Sequence, residues 1–438
     1  MDPQAGSAPS KRHREKREEN LVMKRFLSVF LTLMLLLSLS GVSALAQEDV
    51  KIEFIQWWEP ELPQGFFRGL MDEFEAQNPG IKVDLISGPY SSTKDQIIAG
   101  AATGTLCDVV GLDGAWVNDL SKQGAIANLD DLVATYKTDD SEFGAKVAVG
   151  GKNYMYGVVT FAYTMFVNND MLKAAGIASA PTNRSEFLAA AQALTNADKN
   201  QYGWVLPLSL QSPNGIQNDT MSWVWASGGS MMNKDGTPNV NNPDVKEALT
   251  FIKDLYDKGV ISPGSFSKQE QDKVEEFVNG RIGTMVDTLA HITMIRERNP
   301  QLNFSVSAVP AKDGYDGKRG MVYAAWGIGV SENSQHKEEA WKLVNFLLNS
   351  DVNARLASTA NAFPGNSKAA PDYSKADPLF AKAFEIYQQS YACNEFVGLP
   401  VAEELMRIFA EQFQGALEGK QTIDDCLATV QEKWQAEF

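Results

Sequence analysis

The side chains with the most chemistry to offer are aromatic and acidic, and they gather at the ends of short apolar runs. Trp57 and Trp58 directly follow the run 50–55, with Glu59 and Pro60 next, and Asp113 and Trp116 follow the run 109–112. Trp223 and Trp225 precede the loop Ser227-Gly228-Gly229-Ser230, and Trp326 sits in Ala324-Ala325-Trp326-Gly327. A flat indole matches the apolar face of a pyranose ring, while carboxylates accept paired hydrogen bonds from its hydroxyls. Tryptophan beside Asp or Glu at strand ends is therefore the equipment of a sugar site. Each Trp taken singly has the alternative of being a core ring with its N–H satisfied. For Trp341, on an amphipathic stripe, and for Trp434 that alternative is the expectation.

Other chemistries find less material. Gly-x-Ser-x-Gly does not occur, and the histidines beyond residue 46 are His291 and His336, both readable as helix-face or solvated residues. Carboxylates are abundant, so counting alone leaves a glycosidase pair open. The segment Gly100-Ala101-Ala102-Thr103-Gly104 lacks a following Gly-Lys-Ser/Thr and reads as a helix end, not a phosphate loop. Asp313-Gly314-Tyr315-Asp316-Gly317 resembles a calcium loop only loosely, so no metal and no cofactor is expected. Cys107, Cys393 and Cys426 are too few for a disulfide scaffold; Cys393 and Cys426 could bridge, and Cys107 reads as a small buried hydrophobe.

The elements that must position these residues alternate between strand and helix. Val50, Ile52 and Phe54 alternate with Lys51 and Glu53, as do Ile81, Val83 and Leu85 with their neighbours, while Phe66, Phe67, Leu70, Met71 and Phe74 fall at helical spacing between them. Residues 108–112 suit a buried parallel strand. Such alternation predicts an α/β sheet whose ligand lies beyond the carboxyl ends of the strands. After Gly150-Gly151-Lys152 the strand-like stretches 156–159 and 165–167 flank an expected bend, and stripes around Leu249, Leu343 and Phe409 predict helices.

Residues 23–46 read as an export signal: Met23-Lys24-Arg25, an apolar run over 26–39, then Ala44-Leu45-Ala46 as a small-x-small processing site. The run is shorter than the ~20 residues of a membrane span. No cysteine follows it to carry a lipid. The formal net charge is −16, and seven of the bases lie before residue 47, so the remainder is more acidic still. An acidic body disfavours nucleic acid and anionic lipid as partners.

Several passages, in order along the chain, resemble the extracellular solute-binding proteins of family 1, the sugar-binding components of ABC importers. They are Gly151-Lys152-Asn153-Tyr154-Met155-Tyr156-Gly157, Phe166-Val167-Asn168-Asn169-Asp170-Met171-Leu172, Phe277-Val278-Asn279-Gly280-Arg281-Ile282-Gly283-Thr284-Met285 and Glu339-Ala340-Trp341-Lys342-Leu343-Val344-Asn345-Phe346-Leu347. Departures are Arg184 where the family often has Trp, and Val286-Asp287 where a Gly and an aromatic are common. The resemblance implies a two-lobe periplasmic-binding-protein fold (type II-like), joined by a hinge of several crossings near 160, 285 and 330. The implied divisions are 1–46 for the leader, 47–160 for the first part of lobe 1, 161–284 for the first part of lobe 2, 285–330 for the return to lobe 1, and 331–438 for the helical end of lobe 2. It further implies a monomer that binds a mono- or oligosaccharide, catalyses nothing and delivers its ligand to the transmembrane subunits of an ABC permease. The ligand contacts it implies are Trp57, Trp58, Glu59, Asp113, Trp116, Tyr163, Trp223, Asp287 and Trp326, with Tyr90 and Trp225 in reserve. A secreted carbohydrate-active enzyme, or a binding protein for a polyol or an amine, are the alternatives. If the export reading holds, the intact mass of the secreted protein corresponds to a chain starting at Gln47; recovery of the run 26–39 in a membrane fraction would contradict it.

Overall fold

One sheet of eleven strands organises the chain, in the order β2-β1-β3-β9-β5-β7-β6 with β4, β8, β10 and β11 attached at its sides. The strands are β1 (Val50–Gln56), β2 (Ile81–Ser87), β3 (Val109–Leu112), β4 (Lys146–Val149), β5 (Lys152–Asn168), β6 (Tyr202–Trp204), β7 (Ile282–Thr288), β8 (Phe304–Ser307), β9 (Arg319–Val330), β10 (Phe363–Pro364) and β11 (Ser390–Cys393). This computed structural model describes residues 49–438, and Met23 before them; the export segment and its processing site lie outside the described residues.

The first half of the sheet is the strand-helix-strand pattern made real. β1 runs parallel to β2 and β3, and the helix Phe66–Gln77 covers them with Phe67, Leu70, Met71 and Phe74, the residues at helical spacing. The helix Tyr90–Thr103 ends where Gly104 takes φ +71, a left-handed cap that glycine adopts without strain. The expected bend near 160 is absent. Residues 152–168 form one 17-residue strand, because 155–159 and 161–168 are buried and rich in Val, Phe, Tyr and Thr, which suit a strand covered on both faces. Register shifts interrupt it twice, opposite Val147 and Ala148 of β4 and between Gly157 and Val159 against β9.

What changes near 160 is the partner. Tyr156–Ala162 of β5 ladder with β9, whereas Tyr163–Val167 ladder with β7 and Met165–Asn168 with β8. β6 then pairs parallel to β7 and completes the second half. Residues 282–307 thus belong to the second half, although a return to lobe 1 was expected from 285; the chain rejoins the first half only along β9, from Tyr323 onward. Likewise the helices Lys337–Leu347 and Ser350–Thr359, expected with lobe 2, pack on the first half: Phe346 meets Phe74, Arg355 pairs with Glu73, and Asn353 donates to the Val158 carbonyl. An apolar stripe tells that a helix is covered and not which sheet covers it. The helices Ala402–Leu417 and Ile423–Gln435 do pack with the helix Pro243–Asp257 of the second half. Cys393, in β11, and Cys426, in the last helix, are both free thiols and do not bridge.

Backbone contact at one glycine is tight enough to test. Gly365 donates to the Val158 carbonyl at 2.9 Å, and a Cβ there would stand 1.8 Å from the Gly157 carbonyl oxygen. Gly69, exposed on its helix, has nothing within 4 Å of the same position. Gly365→Ala should therefore destabilise by on the order of 3 kcal/mol, by forcing β5 and β10 apart, whereas Gly69→Ala should stabilise by ~0.5–1 kcal/mol. Urea unfolding midpoints of the two variants check the contrast.

Candidate functional site

The candidate site is built where the carboxyl ends of β1, β3 and β7 meet, as an α/β sheet requires. Gln56, the last residue of β1, is fully buried and turns the chain: its Oε1 accepts from the amides of Trp58 and Glu59, and its Nε2 donates to Ser87 Oγ at the end of β2. That turn sends Trp57 toward the cleft and Trp58 into the core. Asp113, after β3, accepts from the Ala115 amide at 2.9 Å and from the Tyr90 hydroxyl at 3.0 Å. Tyr90 in turn accepts from Asn214 Nδ2 at 2.9 Å, so a hydrogen bond crosses from the first half to the loop after β6.

A partly open cavity of about 60 Å³ lies at this junction. It is walled by Trp57, Tyr90, Phe161, Tyr163 and Trp326, and its polar rim holds Glu61, Asp113, Asn214, Gln217, Asn218, Glu270, Thr288 and His291. On the measure by which one water needs ~10–15 Å³, it has room for a few. Larger hollows, such as one of about 450 Å³ beside Asn168 and Lys199, are open depressions on the outer surface. Trp326 is backed by Trp58, stacked at 5.5 Å and 8°, and braced by Phe161 at 4.8 Å. Trp57 lies edge-on to Tyr90 and Trp116.

Of the residues singled out in the sequence, Trp57, Tyr90, Asp113, Tyr163 and Trp326 come together on this cavity. The others do not line it. Trp58 is fully buried among Phe54, Phe67 and Trp326, and Trp116 stands behind Trp57 with its indole N–H directed to Glu403. Glu59 accepts from Ser87 at the rim of the first half. Trp223 packs into a core of Phe187, Trp204 and Phe251, where Arg184 replaces the family's aromatic by donating to the Trp223 carbonyl and lying over Phe251. Trp225 donates to Glu395, away from the cavity. Asp287 is fully buried behind it, held by His291 and Lys273.

Residues that sequence reasoning missed come from two places. Residues 216–220 form a π-helical turn leading into the helix Met221–Trp225, and its wider coil places Gln217 and Asn218 on the cavity and Asp219 behind them. Asn218 donates to the Tyr163 hydroxyl. The second place is a buried set of charges. Lys273, inaccessible to solvent, faces Glu270 at 3.0 Å, Asp219 at 3.3 Å and Asp287 at 3.6 Å, and donates to the Val286 carbonyl at 2.6 Å. His291, the first residue of the helix His291–Arg298, bonds Asp287 through Nδ1 and faces Glu61 through Nε2 at 3.9 Å. Of this set, Asp287 was singled out as a ligand contact and His291 read as a plain helix-face residue; the others carried no signal in the sequence.

Burial pushes Glu61 up to about 7, with the nearby His291 opposing that only partly. Burial alone would push His291 down, but Asp287 outweighs it and holds the imidazolium, raised to about 9. Asp287 is kept below the usual carboxylate range despite its burial, by His291 and Lys273. Lys273 stays protonated, its three carboxylates overcoming desolvation. Glu270, Asp287 and His291 bring ligand atoms within 4.8 Å of one another, a spacing that suits a metal, but the Lys273 ammonium already faces two of them.

A narrow aromatic cavity between two sheet halves that share long crossing strands is the arrangement of a capture protein. The sequence model of the family described as bacterial extracellular solute-binding protein matches residues 60–354. The chain belongs to this family. A putative binding protein of Brucella abortus is 29% identical over 313 residues, 70% of this chain and 74% of its own. An ABC transporter solute-binding protein of Thermotoga lettingae bound with α-D-tagatose superposes with a TM-score of 0.77 at 20% identity, covering 88% of this chain and 99% of that one. The GacH receptor of Streptomyces glaucescens, solved unliganded and with acarbose, superposes at 0.75 and 20% identity, over 89% and 98%. These likenesses show the two-lobe fold of solute-binding proteins. Members of the family bind substrates for ABC importers outside the cytoplasm, and among the described residues no helix is long and apolar enough to cross a membrane.

Both raised groups bind a proton more tightly in the folded solute-binding protein than in the unfolded chain. Their contribution is therefore full at low pH and is lost as pH rises, between ~4.5 and 7 for Glu61 and between ~6.5 and 9 for His291. Glu61→Gln removes a buried carboxylate whose ionisation disfavours the fold. It should raise the melting temperature at pH 8 relative to the unsubstituted protein and leave it little changed at pH 5. Lys273→Met, by stranding three carboxylates, should cost about 3–5 kcal/mol. Thermal melts across that pH range and urea unfolding of the two variants check both statements.

Proposed function

We propose that this solute-binding protein captures a carbohydrate between its two lobes and presents it to the transmembrane subunits of an ABC importer. The observation that carries the reading is the cavity itself. Trp57 and Trp326 offer indole surfaces backed by other rings, while Asp113, Asn214, Gln217 and Asn218 converge from both halves as hydroxyl partners. Ring faces meet C–H surface, and the carboxylate and amides fix the hydroxyls by direction. The relatives with the same fold were solved with α-D-tagatose and with acarbose, a further support for a sugar here.

The working cycle follows from the site being shared. A ligand that touches Asp113 from one half and Asn218 from the other favours the state in which the halves meet, and the permease reads that state. The crossings at Ala162–Tyr163 in β5 and near Tyr323 in β9 form the hinge in this reading, with the first lobe on one side and the second on the other. The chain reaches its site of action through the leader, cut after Ala46, as a soluble protein with no lipid. No reaction is assigned: a bound sugar should be recovered chemically unchanged.

Calorimetry over mono- and oligosaccharides identifies the ligand, and scattering with and without it should show a smaller radius of gyration when bound. Trp57→Ala should weaken binding about 30-fold, the effect of losing ~2 kcal/mol at a desolvated aromatic contact. Asp113→Asn should cost less than Asp113→Ala, since the amide keeps an acceptor. The exposed control Lys382→Ala should be silent. Unaltered affinity in the Trp57 variant would remove this cavity as the sugar site.

A further inference from the structure

Acidic side chains outnumber basic ones around the cavity. Carboxylates converge here from six residues: Glu61, Asp113 and Glu270 on the cavity itself, and Asp219, Asp287 and Glu403 behind it. The cations are Lys94, Lys273 and His291, with Arg407 at the outer edge reaching Glu403 at 4.0 Å while it donates to Glu404, and each is already engaged. Lys94 faces Glu403 at 3.2 Å, His291 bonds Asp287, and Lys273 is shared by Asp219, Asp287 and Glu270. Neither Lys nor Arg lines the cavity. The cation that faces Glu61 is His291, at 3.9 Å, beyond hydrogen-bond length.

Hydrogen-bonding capacity points the same way. The buried side-chain atoms of the cavity lining that lack a partner are Gln217 Oε1 and Glu270 Oε2, both acceptors, and Gln217 is 2% exposed. A neutral sugar presents hydroxyls that donate and accept alike. An ammonium donates three hydrogen bonds and accepts none, which is the complement of a pocket holding spare acceptors and more carboxyl groups than cations. The ring faces of Trp57, Tyr163 and Trp326 suit the C–H surface of a sugar and attract a cation as well.

Resting on the carbohydrate reading above, we propose that the preferred ligand is an amino sugar, whose protonated primary amine is taken by Glu61 and Glu270 with Gln217 beside them. The sugar ring then lies against Trp57 and Trp326, and Asp113 takes hydroxyls. The amine supplies the positive charge that the cleft lacks when it closes. Anionic sugars, uronic acids and sugar phosphates are rejected by the same surplus.

The test compares matched pairs by calorimetry at pH 7: glucosamine with glucose, galactosamine with galactose, mannosamine with mannose, and the deacetylated chitobiose disaccharide with cellobiose. The expected result is that in at least one pair the amine binds about tenfold or more tightly than its neutral partner. Glu61→Gln, or Glu270→Gln should that variant fail to fold, should shrink the ratio within the pair. A neutral sugar that binds as tightly as its amine overturns the inference and leaves the carbohydrate reading standing. An amine preference that neither Gln variant reduces overturns the assignment to these carboxylates. If no member of any pair binds, the carbohydrate reading fails, and the inference with it.

Discussion

The change of partner inside β5 is the constraint on which the site depends. A strand that ladders with β9 through Ala162 and with β7 from Tyr163 ties two sheets together through backbone, with no loop to absorb displacement. The halves cannot slide apart; they can only turn about the crossing strands. Tyr163, the first residue after the change, therefore stays at the floor of the cleft in any arrangement of the halves, and its hydroxyl meets Asn218 from the second half. Phe161 and Trp326, on neighbouring strands just before the crossing, are fixed relative to it in the same way. The cavity is assembled around the strand that joins the two halves.

A second consequence is electrostatic. Burying Lys273 with no solvent access is costly, and the geometry offsets the cost only because three carboxylates and a carbonyl share the ammonium. The arrangement links the helix Glu270–Val278, β7 and the π-helical turn 216–220, three elements that no common hydrophobic stripe would hold in register. Lys273 thus positions Glu270 on the cavity, and Asp287 positions His291. Packing of apolar side chains would tolerate small shifts here; a shared ammonium with fixed acceptors does not. The polar rim of the second lobe is held to the precision of these bonds.

Much of this was legible in the sequence, and the reasons for the remainder are specific. Period-two and helical spacing located β1, the helix after it and β2 to within a residue or two, because those elements face solvent on one side and the core on the other. β5 escaped because it is buried on both faces and has no alternation to read. Trp57 and Asp113 drew attention by following apolar runs and Trp326 by its place among small residues, and the cavity contains all three. Trp223 and Trp225 drew it by preceding a glycine-containing loop, yet their rings turn into core and toward Glu395; residue type and position carry no information on which way a side chain points. Gln217 and Asn218 gave no signal at all, since amides in a polar loop are common and the π-helical turn that aims them has no sequence signature. Lys273 and Glu270 drew no notice in the sequence, and only the tertiary structure reveals that Lys273 is buried against β7 and the turn 216–220, with Glu270 beside it.

The size of the cavity and the contacts across it bear on each other. The halves already touch through Tyr90 and Asn214, through Lys94 with Glu403 and the Gln211 carbonyl, and through Glu61 near His291. A typical hydrogen bond of this kind contributes a net ~0.5–1.5 kcal/mol, so a handful of them sets a closing tendency of a few kcal/mol, within reach of what ligand contacts can reverse or reinforce. At about 60 Å³, the cavity has room for a few waters and little more. On the carbohydrate reading a sugar ring enters only when the halves part, and its contacts with both must then replace the Tyr90–Asn214 hydrogen bond that joins them here.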